Sequence, residues 1–453
     1  MYLTEKLAAF VVDTEYEDIP EEARLKAKRC ILDCLGVALA GSTHPINEPI
    51  KEYLGDIGGK EQSTVIGLGI KTSAPNAAFA NGTFGHVLDY DDTNQIFVGH
   101  STVVVLPAIL ALGELLKSMG EDILTAFLIG TEVQWKMGDA LVFSGDHYNK
   151  GWHSTCTIGT FGAVAAAGKL LQLDSGKMAH AFGIAASEAA GFQEQFGTHC
   201  KPFHAGRANE NGVRAALLAR GGFTSARSAL EGKLGYVRLV ADEYDLGKIR
   251  DFGKPWGFLE PTLARGINLK MYPVCGGGMG SVEGMLSLIE EHDIKAEDVE
   301  SVDCFARPKY VELLMHHDPR TGLEAKFSME YWMTIALLER QAGLKQFTDE
   351  KVQEPRVREF VKRVKVTPDP SIQYPWSKVR IKVNMKDGRS YTKTYFPPKG
   401  SPENPMSDEE LIAKYRGCAE WFGLGKEKTE KSIRLIMELE KLGNVEELMK
   451  LMY

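Results

Sequence analysis

A chain of 453 residues with 44% hydrophobic and 25% charged side chains is long enough for more than one domain and a sizeable core. Its formal net charge of −8 argues against nucleic acid as a partner, because phosphate binding wants a basic face; a small anion stays open, since a few local lysines outweigh the global sign. Seven cysteines, an odd number without CxxC spacing, fit a reducing compartment and a cytoplasmic location, and with no HExxH either, a zinc site has no support.

The N-terminal MYLTEKLAAFVVDTEYEDI has only a short apolar patch interrupted by acids, so it is not read as a secretory signal. Pro20-Glu21-Glu22 opens a helix, with acids at its positive end. Cys30 and Cys34, four apart beside Ile31, Leu35 and Ala38, read as small core residues.

From Ala80 to Glu114 the chain sets His86, Asp89, Asp91, Asp92, Thr93 and His100 directly before a long apolar run. Asp91-Asp92-Thr93-Asn94 would also suit a plain turn and helix cap. Carboxylates and imidazoles are costly to bury unless paired, however, and so many against a core segment suggest an interior polar pocket. Such pockets supply acid–base catalysis. The run predicts a helix over Thr102–Lys117; Pro107 and Glu114 interrupt it, and it falls short of the ~20 residues of a membrane span.

Two further segments have the same character. Gly151-Trp152-His153-Ser154-Thr155-Cys156 leads into a run of small and apolar residues to Leu173, which reads as a buried helix in close contact with its neighbours. His153 precedes it, beside the positive end of the dipole, where the neutral imidazole that a base requires is favoured. After a helical pattern over Ala179–Gly191, the stretch Phe196 to Gly206 places Lys201 and His204 in a short loop before the apolar helix Val213–Ala219. A lysine among Phe196, Phe203 and two histidines suits a carboxylate partner or a base of shifted pKa.

Near residue 265 the organisation changes. Ser301–Phe305 and Val361–Val366 are weaker strand patterns; Val379, Ile381 and Val383 alternate with polar residues, and Asp387-Gly388 turns the chain into Ser390–Phe396. Past Pro405, Ser407-Asp408-Glu409-Glu410 caps a new helix. The fold expected is mainly α: a large all-helical domain built from both chain ends (1–265 and 396–453), with a smaller α+β cap domain inserted at 266–395.

Five segments, NGTFGHVLDYDDT, GWHSTCTIGTFGAVAAAGKLLQLD, FGTHCKPFHAGRANENGVRAALLARGGFT, INLKMYPVCGGG and EAKFSMEYWMTIALLE, resemble the MmgE/PrpD family in the family's own order. That family includes 2-methylcitrate dehydratases, cis-aconitate decarboxylases and iminodisuccinate epimerases. The resemblance implies a homodimer and matches Asp89, Thr93, His100, His153, Lys201, His204, Lys270 and Tyr331 to pocket positions. By this reading His100 and His153 form the acid–base pair, oriented by Asp89 and Thr93. Lys201 and Lys270 bind carboxylates or transfer protons, His204 helps to bind substrate, and Tyr331 donates a proton.

One departure stands out. Many members follow YPxC with an arginine and, three residues later, a histidine; here the stretch is Cys275-Gly276-Gly277-Gly278-Met279. The glycines read either as a flexible turn before a helix at Val282–Ile289 or as a backbone anion site that replaces the lost side chains. A roomier pocket that turns over tricarboxylates poorly would follow.

The function expected is a 2-methylcitrate dehydratase-like lyase that needs no metal or cofactor and acts on a small di- or tricarboxylic acid. Epimerisation and decarboxylation are the alternatives within the family. Outside it stand a non-catalytic carboxylate-binding protein and a magnesium-dependent diphosphate enzyme, the latter weakened because no second Asp-rich cluster accompanies DYDDT.

Overall fold

The computed structural model describes residues 2–262, 265–373 and 378–453. It is mainly α, as expected, with a four-stranded sheet and two short two-stranded ladders. The chain opens with α1 (Leu3–Asp13), α2 (Glu21–Gly41) and α3 (Asn47–Ile57). From Cys30 to its end α2 is buried all round, so Cys30 and Cys34 are core residues. A short ladder of β1 (Ser63–Val65) and β2 (Ile70–Thr72) precedes α4 (Ala74–Val87). Then follow β3 (Thr93–Asn94), α5 (Leu106–Leu116), α6 (Gly120–Gly138), α7 (Ser154–Leu170), α8 (Ser175–Ala186) and α9 (Cys200–Arg220).

Helix α5 starts at Leu106, four residues later than its apolar run suggests. Asp92 accepts from the backbone N–H (3.1 Å) and the hydroxyl of Thr102, which ties the residues before α5 into turns. Pro107 then sits in the first turn, where its missing N–H is not needed.

At the centre, α9 packs against α4, α7 and α8. A Cβ on Gly206 would run into Thr83 of α4, and one on Gly212 into Ala163 of α7, so these crossings require glycine. Asn209 of α9 joins the layers: its amide donates to the Val103 carbonyl (2.8 Å) and accepts from the Ala108 N–H (2.9 Å).

After α10 (Tyr236–Val240), β4 (Ile267–Asn268) pairs antiparallel with β3, Thr93 opposite Asn268. The remaining elements are α11 (Met279–His292), β5 (Val299–Ala306), α12 (Pro308–Leu313), α13 (Gly322–Ala325), α14 (Met329–Glu339), α15 (Asp349–Val352), α16 (Pro355–Val361), β6 (Val364–Pro368), β7 (Val379–Met385) and β8 (Ser390–Tyr395). The sheet order is β6-β5-β7-β8, with β5 and β6 parallel and the other pairs antiparallel. The alternation read in β7 holds: Val379, Ile381, Val383 and Met385 face the core, where α11 packs. Val361 ends α16 instead of opening a strand, and β6 begins at Val364.

Helix α17 (Asp408–Phe422) has the expected start: Ser407 Oγ accepts from the Glu410 N–H (3.2 Å), and the Glu410 carboxylate accepts from the Ser407 N–H (2.7 Å). It lies against α2, where a Cβ on Gly36 would come within 2.9 Å of Tyr415, and α18 (Lys426–Met437) follows on the same side. Because the last helices return to α2, we propose 266–395 as the inserted portion. Among the described residues no helix is long and apolar enough to cross a membrane.

Candidate active site

Asp89 follows the C-terminus of α4 with φ of 49°, a left-handed conformation that Asp adopts more readily than most residues. The β3–β4 ladder brings the segment after β4 alongside. Lys270, fully buried, donates to the Asp89 carbonyl (2.8 Å) and to its carboxylate. Lys201 Nζ lies 3.2 Å from the other Asp89 oxygen. Burial pushes the Asp89 carboxyl up, but Lys201 and Lys270 more than reverse it and hold the group ionised.

Lys201 and His204 do not sit in a loop, as their sequence context suggests, but within the first two turns of α9. Pro202 there lacks an N–H that the first turn has no use for, and Gly206 marks the close approach to α4 rather than a turn. The helix thus holds Lys201 and His204 on one side of itself, three residues apart.

Behind Asp89 lies a chain of buried imidazoles. His86 Nε2 is 2.8 Å from Lys201 Nζ, and His86 Nδ1 is 3.0 and 3.1 Å from the Asp91 oxygens. Asp91 is also 3.0 Å from His100 Nδ1, while His100 Nε2 lies 3.8 Å from Asp89. His153 precedes α7 as its N-cap residue, and its Nδ1 meets His204 Nδ1 at 2.9 Å. Burial pulls all four imidazoles below their ordinary value, His86 to about 3 and His204 to about 4. His153 is therefore neutral, with burial as the largest cause. Asp92, buried beside Asp91, is pushed up to about 7.

Among the described residues, His86, Asp91 and His100 also bring ligand atoms within 4.8 Å of one another, close enough to take a metal ion. Lys201 against His86, and Lys270 near His100, make that place unfavourable for a dication, whereas without one the His86 N–H reaches both Asp91 oxygens and the His100 ring lies 3.0 Å away.

These histidines determine the response to acid. Each of His44, His86, His100, His147, His153 and His204 has its folded pKa depressed below 6.5. The contribution of such a group is fully present above the unfolded value and is lost as pH falls toward the folded one. Four buried carboxyls held high (Asp33, Asp92, Glu132 and Glu283) work the other way, and six outnumber four. Stability measured by urea unfolding is expected to fall steadily from about pH 6.5 to about pH 4.5. A flat profile over that window would contradict the burial of neutral imidazoles.

The cavity beside Asp89 leaves about 50 Å³ for the centres of water molecules, room for a few waters. Asp89, Thr93, His100, His153 and Lys201 line it together with Cys275, Gly276 and Gly277. Two tyrosines not singled out in the sequence, Tyr148 and Tyr310, complete its wall with Phe196 and Phe327. Tyr310, on α12, shares a hydrogen bond with the Cys275 thiol, and burial raises both groups, Cys275 to about 11. Nothing in the Pro308-Lys309-Tyr310 context distinguishes Tyr310 from a core aromatic.

Tyr331 is not at the cavity. Its hydroxyl donates to the Gln346 carbonyl inside the packing of α14, beside the Phe347 ring at 5.5 Å. Gly278 is also withdrawn: its N–H bonds the Cys275 carbonyl (2.7 Å), and a Cβ there would strike Trp332. The three glycines form a tight turn (Gly276–Gly278) into α11 rather than a loose connection. A Cβ on Gly276 would lie 2.9 Å from Thr93, and one on Gly277 would enter the Tyr310 ring. Their bareness lets Thr93 and Tyr310 close on the cavity.

Two further lysines bear on the site. Lys326 is buried behind Phe327 with Nζ 3.3 Å from the Pro273 carbonyl, and burial lowers it to about 7. Lys414 of α17 donates to the carbonyls of Tyr90 and Lys270 (2.8 Å each) and pairs with Asp33 at 2.6 Å. It clamps the two backbones that carry Asp89 and Lys270.

A small cavity framed by ammonium, carboxylate and imidazole groups on a helical scaffold is a site for acid–base chemistry on a small anion. Residues 5–248 match the MmgE/PrpD N-terminal domain and residues 272–440 the MmgE/PrpD C-terminal domain, and the chain belongs to this family. It is 27% identical to the cis-aconitate decarboxylase of Aspergillus terreus, over 99% of this chain and 96% of that protein. The cis-aconitate decarboxylases of Mus musculus and Homo sapiens are each 28% identical, over 99% and 97% of this chain and 93% and 92% of theirs.

Proposed function

We propose that the chain is a lyase for a small polycarboxylic acid, and a carboxy-lyase on an acid of the cis-aconitate kind rather than the hydro-lyase that its motifs first suggest. The observation that carries the reading is the Asp89 carboxylate shared by two buried ammoniums, Lys201 at the cavity wall and Lys270 behind it, with His100 and His153 in the same wall. The Lys201 ammonium at the wall offers an incoming carboxylate a local positive charge. The full-length likeness to decarboxylases supports the choice of reaction.

In that reaction the bond between a carbon and its carboxylate breaks, carbon dioxide leaves, and the electron pair stays on the carbon, delocalised toward a neighbouring carboxylate that a lysine holds. A donor at the wall then protonates the carbon; His153 and Tyr310 are the candidates, with Thr93 and Asp89 orienting. The cavity is smaller than a six-carbon acid, so binding has to widen it.

The test is product analysis. Incubation with cis-aconitate, with and without a chelator, is expected to release carbon dioxide at equal rates. Loss of water without carbon dioxide from 2-methylcitrate or citrate would return the assignment to a hydro-lyase. Chelator-sensitive turnover restored by magnesium would point to the diphosphate class.

A further inference from the structure

Asp91 and His86 take no part in lining the cavity beside Asp89, yet both touch residues that do. We propose that they are positioning residues: Asp91 accepts one Nδ1–H from each of two imidazoles, so that His100 presents its Nε2 lone pair toward Asp89 and the cavity, and His86 presents its own to the Lys201 ammonium. The proposal rests on the acid–base reading above for its effect on turnover, but not for its spectroscopic test.

The assignment follows from donors and acceptors. Asp91 is fully buried, and an ionised carboxylate can only accept. Burial pushes Asp91 up, but the two histidines more than reverse it and keep it ionised. His86 Nδ1, hydrogen-bonded at 3.0 and 3.1 Å, is therefore a donor, and His100 Nδ1, 3.0 Å from the same carboxylate without an aligned hydrogen bond, takes the same role by its proximity. An ammonium can only donate, so the His86 nitrogen 2.8 Å from Lys201 Nζ is an acceptor. A neutral imidazole has one of each, and His86 satisfies both neighbours in a single tautomer. For His100 the same count leaves Nε2 unprotonated, 3.8 Å from Asp89. The two rings pack edge to face at 4.2 Å, which limits rotation out of this arrangement. Asp92 next in the chain is itself fixed by Thr102, which anchors the backbone that follows Asp91.

An amide at position 91 cannot do this work. Asp91→Asn has one oxygen to accept and an NH₂ that must face the second N–H, so one ring has to change tautomer. Either His86 turns an N–H toward Lys201, or His100 loses its free lone pair. The charged groups that face His100 are Asp89, Asp91, Lys201 and Lys270, with His86 against its ring. Of these Asp91 is the strongest influence favouring the protonated ring. Its neutralisation therefore lowers the His100 pKa, and the limb of the pH–rate profile that titrates with His100 moves to lower pH, whether His100 acts as acid or base.

The experiment compares Asp91→Asn with the unmodified protein. A fall in kcat of ~10²-fold or more is expected with little change in KM, together with the acidward move of the limb. A variant that folds normally, with kcat close to that of the parent and an unmoved limb, would overturn the proposal. Nitrogen-15 correlation spectra of the unmodified protein, labelled at histidine, give the second readout, which needs neither substrate nor a folded variant. Protonated Nδ1 on both His86 and His100 is expected; a proton on His100 Nε2 in place of Nδ1 would overturn it equally. If cis-aconitate proves not to be the substrate, the tautomers still decide.

Discussion

Asp89→Asn is expected to destabilise the protein by about 3–5 kcal/mol, the cost of leaving buried charge without its partner. Two ammoniums converge on this one carboxylate, and Lys270 is fully buried. The amide keeps the volume and one acceptor but removes the charge, so Lys201 and Lys270 would face each other across a neutral group. The loss should shrink at high pH, where an ammonium can shed its proton instead of remaining charged in a dry site. Urea unfolding at two pH values measures both effects. Equal stability of parent and variant would mean that water reaches these groups, and that the cavity is far more open than its geometry indicates.

The second large effect concerns turnover. Lys201→Met and His153→Gln are each expected to lower kcat/KM by ~10²-fold or more while the fold survives. Lys201 lies on Asp89 and His86 and lines the cavity; methionine keeps its length and apolar stem without the charge. Its loss should raise KM as well, because a carboxylate partner disappears. His153 meets the cavity and His204 but carries no charge at neutral pH, so its replacement should affect kcat more than KM. If both were packing residues only, melting temperature would fall and rates would hold. Near-normal kcat/KM in the two variants would remove them from the mechanism.

Those two residues, with Asp89, Thr93 and His100, were legible in the sequence for a physical reason. Each is costly to bury and lies beside an apolar run that has no place outside the core. His86 and Asp91 stood in the same cluster, but their part in holding other side chains has no mark in composition or spacing. It depends on which ring nitrogen meets which oxygen, and α4 and the loop after it decide that only once folded.

The exchange of tyrosines has a similar origin. Tyr331 stands between Glu330 and Trp332 and Tyr310 between Lys309 and Val311, and neither context marks a residue of the cavity wall. Tyr310 reaches the cavity because Gly277 of a distant segment leaves room for its ring, while Tyr331 is spoken for by the Gln346 carbonyl. Lys326 and Lys414 escaped notice because each lies in an ordinary helical or polar context, and only the packing of α14 and α17 against the rest brings them to the site.

What the sequence by itself determined was local and periodic. The helix starts at Pro20 and Ser407, the alternation in β7 with its Asp387-Gly388 turn, and the mainly helical class all follow from side-chain period and capping chemistry, which act over a few residues. Only the tertiary structure decided that Lys201 and His204 ride on a helix, that the glycines after Cys275 are a packing requirement, and that two lysines far apart in sequence share Asp89. Those outcomes depend on close approach between segments far apart in the chain, where burial raises the electrostatic stakes and a single Cβ or hydroxyl changes what can meet.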